Sequence, residues 1–123
     1  MPNQRHQLGL WAETVAARWL TEAGWTVLAR RWRCAQGEID LVALDAVGVL
    51  VAVEVKLRSS RRAGHPLESV DPRRLHRLRA ALGQFVSMAG RPAAGGLRID
   101  LVTAHPTSDG RWRFSRYEGV DAW

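Results

Sequence analysis

Apolar side chains recur in two stretches of the chain at the three- and four-residue spacing of a single helix face. The first stretch contains Leu8, Trp11, Ala12, Val15, Trp19 and Leu20. The second stretch contains Leu75, Leu78, Leu82, Phe85 and Val86. Gly24 is suited to end the first helix, and Asp71 and Pro72 are suited to begin the second as N-cap and first-turn residue. The pattern predicts one helix over 7–23 and another from Pro72 to about Met88.

Five other stretches are β-prone or rich in valine, isoleucine and leucine. They are Thr26–Arg33, 38–44, 49–58, Leu97–Ala104 and Arg111–Tyr117. Turn-forming residues at Gln36-Gly37 and Ser108-Asp109-Gly110, and a loop over 90–96, separate them. The predicted order of elements is therefore α-β-β-β-α-β-β, without an internal repeat.

The strands 38–44 and 49–58 are close enough to form a hairpin. Asp45 and Gly48 fit the first and fourth positions of a type I turn, with residues 46–48 as the loop. This register places Asp40 opposite Glu54 and Glu38 opposite Lys56, with all four side chains on one face because strand side chains alternate. The opposite face is predicted to be apolar. Its members are Ile39, Leu41, Ala43, Val51, Val53, Val55 and Leu57.

Directly opposed side chains have Cβ atoms about 5 Å apart, so the carboxylates of Asp40 and Glu54 would repel each other. A divalent cation would neutralise them. Mg²⁺ or Mn²⁺ prefers oxygen ligands, and Mg²⁺ is usually held by one or two carboxylates together with substrate phosphates. The alternative is purely structural and consists of two ion pairs, Glu38 with Lys56 and Glu54 with Lys56.

Lys56 is the only lysine among 18 basic residues, because the chain uses arginine everywhere else. An ammonium group can orient or deprotonate a water molecule, whereas a guanidinium stays protonated and planar. A chemical role for Lys56 is one interpretation of this usage, and chance is the other.

The formal net charge of +6 lies entirely in the segment 56–79. That segment holds eight basic and two acidic side chains, and the rest of the chain is neutral. Such a surface is typical of proteins that bind nucleic-acid phosphates, although a solvated helix face is the simpler alternative. Trp32, which lies between two arginines, is the tryptophan we would test for base stacking.

The length of 123 residues and the hydrophobic content of 46% predict one globular domain over 1–123. Cys34 is the only cysteine, so an internal disulfide and a four-cysteine zinc site are excluded. The N-terminal residues lack the apolar core of a signal peptide, and no apolar run could cross a bilayer. We therefore expect a cytoplasmic protein without a membrane partner.

Asp40 followed by Glu54-Val55-Lys56, on a hairpin after a helix, resembles the PD-(D/E)XK nuclease superfamily. The chain is most similar to the YraN-like family of that superfamily. The resemblance covers most of residues 9–102 and rests on GWTVLARRWRC, GEIDLVALD, VAVEVKLRSS, GHPLESVDPRRLHRL and LRIDLV. It implies an α/β fold with a restriction-endonuclease-like αβββαβ core, in which helices flank a mixed central sheet.

The resemblance also implies roles for particular residues. Asp40 and Glu54 would be the metal ligands, Lys56 would position the attacking water, and Glu13 would be a supporting acid. Glu38 would orient Lys56 or the water. The arginines proposed to bind the nucleic-acid backbone are Arg58, Arg61, Arg62, Arg73, Arg74 and Arg77.

The chain departs from the family pattern at two positions. Ala12 stands where the family usually has glycine, and Arg73-Arg74 stands where a lysine is usual. The first substitution would crowd the site, and the second keeps the positive charge but not the ammonium group.

The leading hypothesis is a metal-dependent nuclease that hydrolyses phosphodiester bonds, with DNA, branched or damaged, as the expected substrate. The alternatives are a non-catalytic nucleic-acid-binding adaptor with the same fold and a protein-interaction domain. Cutting both strands symmetrically would require a homodimer. The apolar tail Val120 to Trp123, expected to be exposed, is the only dimerisation signal.

Overall fold

The computed structural model describes residues 3–58, 70–90 and 95–122. Within these ranges the chain forms two α-helices, five strands and a short 3-10 helix. Their bounds are α1 Gln4–Glu22, β1 Thr26–Cys34, β2 Gly37–Leu44, β3 Leu50–Leu57, α2 Pro72–Ala89, β4 Leu97–Pro106, β5 Trp112–Tyr117 and the 3-10 helix Val120–Ala122. The predicted order of helices and strands is confirmed.

Side-chain caps fix where both helices begin. The carboxylate of Asp71 accepts a hydrogen bond from the backbone N–H of Arg74 at 2.8 Å, and Pro72 is the first residue of α2 as predicted. Helix α1 begins at Gln4, earlier than predicted, because Asn3 accepts a hydrogen bond from the backbone N–H of His6 at 2.7 Å. Residues 4–7 are all polar, so the apolar pattern could not reveal this first turn.

The strands form one mixed sheet in the order β1-β2-β3-β4-β5. Neighbouring strands are antiparallel except for β3 and β4, which are parallel. The chain between β3 and β4 contains α2, which covers one face of the sheet through Leu78 and Leu82. Helix α1 covers the other face through Ala16 and Leu20. The predicted mixed central sheet flanked by helices is confirmed.

The β2–β3 hairpin has the predicted register. Leu41 pairs with Val53 and Leu44 pairs with Leu50. In the turn, the backbone N–H of Gly48 donates to the carbonyl of Asp45 at 3.1 Å, and Gly48 has a φ of +93°. Glycine adopts this left-handed conformation without steric cost, which explains its place in the loop.

Two expectations about apolar residues were wrong. Ile39 packs with the core residues on the α2 side of the sheet, although strict alternation placed it beside Leu41 on the α1 side. Val120 is only 4% exposed and packs into the same α2-side core, so it is not part of an exposed apolar tail. Trp123 lies outside the described residues.

Candidate active site

Strand β2 is irregular at Asp40, which explains the changed orientation of Ile39. The pairing of β1 with β2 passes from Arg30–Leu41 to Trp32–Ile39 and skips Arg31–Asp40. Arg31 has a φ of +49°, a conformation that is costly for a residue with a side chain. The pairing of β2 with β3 stops at Leu41–Val53. Strands β2 and β3 of the hairpin therefore lose their regular backbone pairing at Asp40.

The side chain of Asp40 replaces the missing backbone pairing. Its Oδ2 accepts a hydrogen bond from the backbone N–H of Val55 at 2.8 Å. The Asp40 carboxyl also lies in hydrogen-bonding contact with the carboxyl of Glu54, whose residue is only 2% exposed. The predicted meeting of these two acids on one side of the hairpin is confirmed.

Burial and the neighbouring Glu54 raise the pKa of Asp40 to about 8, against the opposing effect of the Val55 N–H. Burial would also raise the pKa of Glu54, but hydrogen bonds from Arg74 and then Asp40 outweigh it and lower that pKa. Two carboxyl groups in contact cannot both ionise freely, so one proton is shared between them. At neutral pH Asp40 holds this proton and Glu54 is the anion.

Arg74 is the cation that stabilises the Glu54 anion. Its Nε and Nη2 lie 2.5 and 3.0 Å from the two carboxylate oxygens of Glu54, and Nη2 also donates to the backbone carbonyl of Glu38 at 2.9 Å. The sequence analysis grouped Arg74 with Arg73 and Arg77 as residues that bind the nucleic-acid backbone. Arg73 and Arg77 are exposed on α2, whereas Arg74 turns inward and belongs to the acidic site.

Glu13 brings a third carboxyl group close to this pair. Its Oε1 is buried without a hydrogen-bond partner and lies 4.0 Å from Nε of Arg31. Burial raises the pKa of Glu13, Arg31 opposes that effect, and the charge of Glu38 adds to it. The buried alanines Ala12 and Ala16 hold this part of α1 tightly against the sheet.

Glu38 and Lys56 do not form the ion pair that the register suggested. Glu38 instead accepts from Nε of Arg33 at 2.8 Å and lies 3.5 Å from Nε of Arg31. Lys56 is half-buried, and its charge helps to lower the pKa of Glu54. The backbone of Lys56 pairs with Thr103 in the β3–β4 ladder, and within the described ranges its ammonium group makes no hydrogen bond or ion pair.

The remaining predicted arginines are only partly described. Arg58 directly follows β3 and is half-buried, with its backbone N–H bonded to the carbonyl of Ala104 at 2.8 Å. Arg61 and Arg62 lie outside the described residues. Within the described ranges, no three acidic, histidine or cysteine side chains converge as a set that could hold a metal ion. Among the described residues, the carboxylates of Asp40 and Glu54 are the two that could hold an ion together, with water or phosphate completing its shell.

We expect the stability of the wild-type protein relative to Asp40→Asn to fall as the pH rises from about 4 to about 8. The pKa of Asp40 is about 8 in the fold and near 3.8 in the unfolded chain, so only the folded state keeps the proton in this window. The lowered pKa of Glu54 has the opposite sign, and the stability it contributes is lost only at more acidic pH. Urea unfolding of both proteins at pH values of about 5, 7 and 9 measures the difference. Parallel stability curves across this range would contradict the assignment of the proton to Asp40.

A helix, a three-stranded antiparallel unit, a second helix and a strand parallel to β3 form the predicted αβββαβ core, a mixed sheet flanked by helices. Strand β5 extends this core at the edge beside β4.

The chain belongs to the uncharacterised protein family UPF0102, the YraN family, which it matches over residues 12–104. A UPF0102 protein of Streptomyces coelicolor is 48% identical over 101 residues, which cover 81% of this chain and 77% of that protein. A UPF0102 protein of Beutenbergia cavernae is 42% identical over 113 residues, which cover 92% and 94% of the two chains.

Among solved structures, the chain is similar to Pyrococcus furiosus SfsA in complex with Ca²⁺. The match has a TM-score of 0.42 and 14% sequence identity, and it covers 94% of this chain and 64% of the SfsA chain. The chain thus spans less than two thirds of the length of that protein.

None of the described helices is long and apolar enough to cross a membrane.

Proposed function

We propose that the protein is a metal-dependent nuclease that hydrolyses phosphodiester bonds, with DNA as its substrate. The contact between the carboxyl groups of Asp40 and Glu54 is the observation that carries this proposal. Burying two carboxyl groups in contact costs folding free energy, so a functional role is a reason for their presence. Strongly shifted pKa values are also typical of functional sites. Membership of the UPF0102 family is consistent with this reading.

The acidic residues fit a hard divalent cation. Asp40 and Glu54 would hold Mg²⁺ or Mn²⁺ through carboxylate oxygens, and the unpartnered Oε1 of Glu13 is a further acceptor for a bound water. When bound, the ion would polarise the scissile phosphate and lower the pKa of its water.

The other residues act on the substrate and on the attacking water. The ammonium group of Lys56 lies near Glu54 and can donate hydrogen bonds to a water or to a phosphate oxygen. Glu38, held by Arg31 and Arg33 at the start of β2, would orient the attacking water. Arg58, Arg73 and Arg77, with Arg61 and Arg62, would bind the flanking phosphates without reading the base sequence.

The adaptor hypothesis is favoured by one specific feature. Arg74 bonds both carboxylate oxygens of Glu54, so it occupies the groups that an ion would need. In a protein that only binds nucleic acid, the Arg74–Glu54 ion pair would stay in place and no metal ion would enter. In a nuclease, Arg74 must give up at least one of these contacts when the ion enters.

Cleavage assays on branched, nicked and single-stranded DNA test the proposal. With Mg²⁺ or Mn²⁺ we expect the wild type to cleave, and Asp40→Asn or Lys56→Ala to lower the rate by about a hundredfold or more. Glu118→Gln, at an exposed position beyond β5, is the control and should keep full activity. Calorimetric titration of Mn²⁺ into the wild type and Asp40→Asn measures metal binding separately.

Two results would decide against a nuclease. Cleavage that survives combined Glu54→Gln and Lys56→Ala substitutions would place the activity elsewhere. DNA binding with a steep salt dependence, but without cleavage in either metal, would instead support the adaptor.

A further inference from the structure

A row of partly exposed apolar side chains, four of them aromatic, runs along the flank of α1 and onto β5. We call it the aromatic surface, and it consists of Leu8, Trp11, Val15, Trp19, Trp112 and Phe114. The α1 members repeat every three or four residues, beside the alanine face that packs on the sheet. Trp112 and Phe114 alternate along β5 and so share one face. Trp11 is 39% exposed and Trp19 is 36% exposed, which is unusual for such large apolar groups.

The rings of this surface contact one another in sequence. The centroids of Trp11 and Trp112 are 5.5 Å apart with the planes at 64°. Phe114 lies 6.1 Å from both Trp11 and Trp19. Edge-to-face and tilted contacts of this kind hold rings in fixed orientations. The surface is therefore a preformed platform, about 17 Å long from Leu8 to Trp19 at the rise of an α-helix.

Positive charge surrounds this platform. Trp112 lines three surface grooves of about 530, 310 and 420 Å³. The lining residues of these grooves include five arginines and two acids, and the arginines are Arg5, Arg18, Arg58, Arg111 and Arg113. In the groove at the start of α1, the described lining residues include Arg5 and Arg58 and no acid. This groove lies at the end of β3 that carries Lys56, because Arg58 is two residues further along the chain.

We propose that the aromatic surface binds a single-stranded segment of nucleic acid, with bases stacked on Trp11 and Trp112 and phosphates against the surrounding arginines. Stacked aromatic side chains in a cationic groove are the features with which proteins hold single strands of any sequence. The core of a protein–protein interface is depleted of charge, whereas arginines lie in every groove beside Trp112. This inference rests on the proposed nucleic-acid function and gives it a substrate class, a nucleic acid with an unpaired segment.

Trp32, the tryptophan singled out from the sequence, does not belong to this platform. It packs edge to face against Phe85 of α2, with centroids 5.3 Å apart, in the core on the other side of the sheet. Its position between two arginines suggested base stacking, but the distortion of β1 at Arg31 sends it inward.

Fluorescence anisotropy with a labelled oligothymidylate of about 16 nucleotides tests the inference. We expect Trp112→Leu and Trp11→Leu each to weaken binding by about tenfold, because leucine keeps the apolar contact but has no flat face for a base. Trp112→Phe should retain most of the affinity, since it keeps an aromatic ring. The same titration with a blunt duplex should show a much smaller effect of Trp112→Leu.

Titration in EDTA separates this inference from the proposed nuclease activity. Without divalent ions the wild type should still bind oligothymidylate, and Trp112→Leu should still weaken that binding, whether or not the wild type cleaves DNA when Mg²⁺ is present. Equal affinities of Trp112→Leu, Trp112→Phe and the wild type would overturn the inference. It would also be overturned if sedimentation showed a wild-type dimer that Trp11→Leu dissociates without any loss of oligothymidylate affinity, since the surface would then bind a second copy of the chain.

Discussion

Asp100→Asn is expected to lower the free energy of unfolding by about 3 kcal/mol. Asp100 is fully buried, and its carboxylate accepts from Arg98 at 2.8 and 3.1 Å, from Arg116 at 2.9 Å and from the backbone N–H of Gly119 at 3.0 Å. Asparagine would remove the negative charge that pairs with both guanidinium groups. These groups lie over the ring of Trp25 and would lose their shared carboxylate partner. We expect about 3 rather than 5 kcal/mol because Arg98 and Arg116 keep 18% and 32% of their side chains exposed.

Urea unfolding measures this loss, and Asp109→Asn is its matched control. Asp109 pairs with Arg111 at 3.8 Å, and both side chains are largely exposed, so the same substitution there should change stability little. Equal stabilities of the two variants would show that the ion pairs of Asp100 are offset by the cost of burying them.

Arg74→Ala is expected to lower the free energy of unfolding by about 2 kcal/mol in the absence of a divalent ion. The Glu54 side chain is 3% exposed and would lose its two charged hydrogen bonds, so its pKa would rise toward that of a neutral acid. If Asp40 and Glu54 hold a metal ion, Mn²⁺ should then stabilise the variant more than the wild type, because it no longer has to displace Arg74. Thermal unfolding with and without Mn²⁺ measures both effects.

Arg73→Ala is the control for this experiment. Arg73 is the preceding residue of α2 and is exposed, so its removal should leave stability within about 0.5 kcal/mol of the wild type. A Mn²⁺ effect of the same size in the wild type, Arg73→Ala and Arg74→Ala would show that Arg74 does not compete with the ion. Stability of Arg74→Ala equal to that of Arg73→Ala would show that the ion pair adds nothing to the fold.

Much of the fold could be predicted because local signals agreed with the final structure. Apolar periodicity located both helices, and Asp45 with Gly48 fixed the hairpin turn and therefore the register that brings Asp40 to Glu54. Asp71 and Pro72 fixed the start of α2 for a similar reason. These features depend on residues close in sequence, so sequence patterns can reveal them.

Features that depend on distant residues or on backbone irregularities could not be predicted. Alternation along a strand assumes regular pairing, and the positive φ of Arg31 breaks that pairing and reverses Ile39. The inward turn of Arg74 depends on how α2 lies against β3. The charge excess of the segment 56–79 located the arginines, but it could not show that one of them is already bound to a site acid.

The parallel pairing of β3 with β4 has a consequence for how the chain folds during synthesis. Leu50 pairs with Leu97 and Leu57 with Ala104, so the centre of the sheet joins segments that are far apart in sequence. Until β4 has left the ribosome, the side of β3 that will pair with β4 is an unpaired edge of an apolar strand. Closing such a long loop is slow, and an exposed edge of this kind favours association with other chains. A nascent chain that stalls before residue 97 should therefore depend on chaperones, even though both of its helices have already been made.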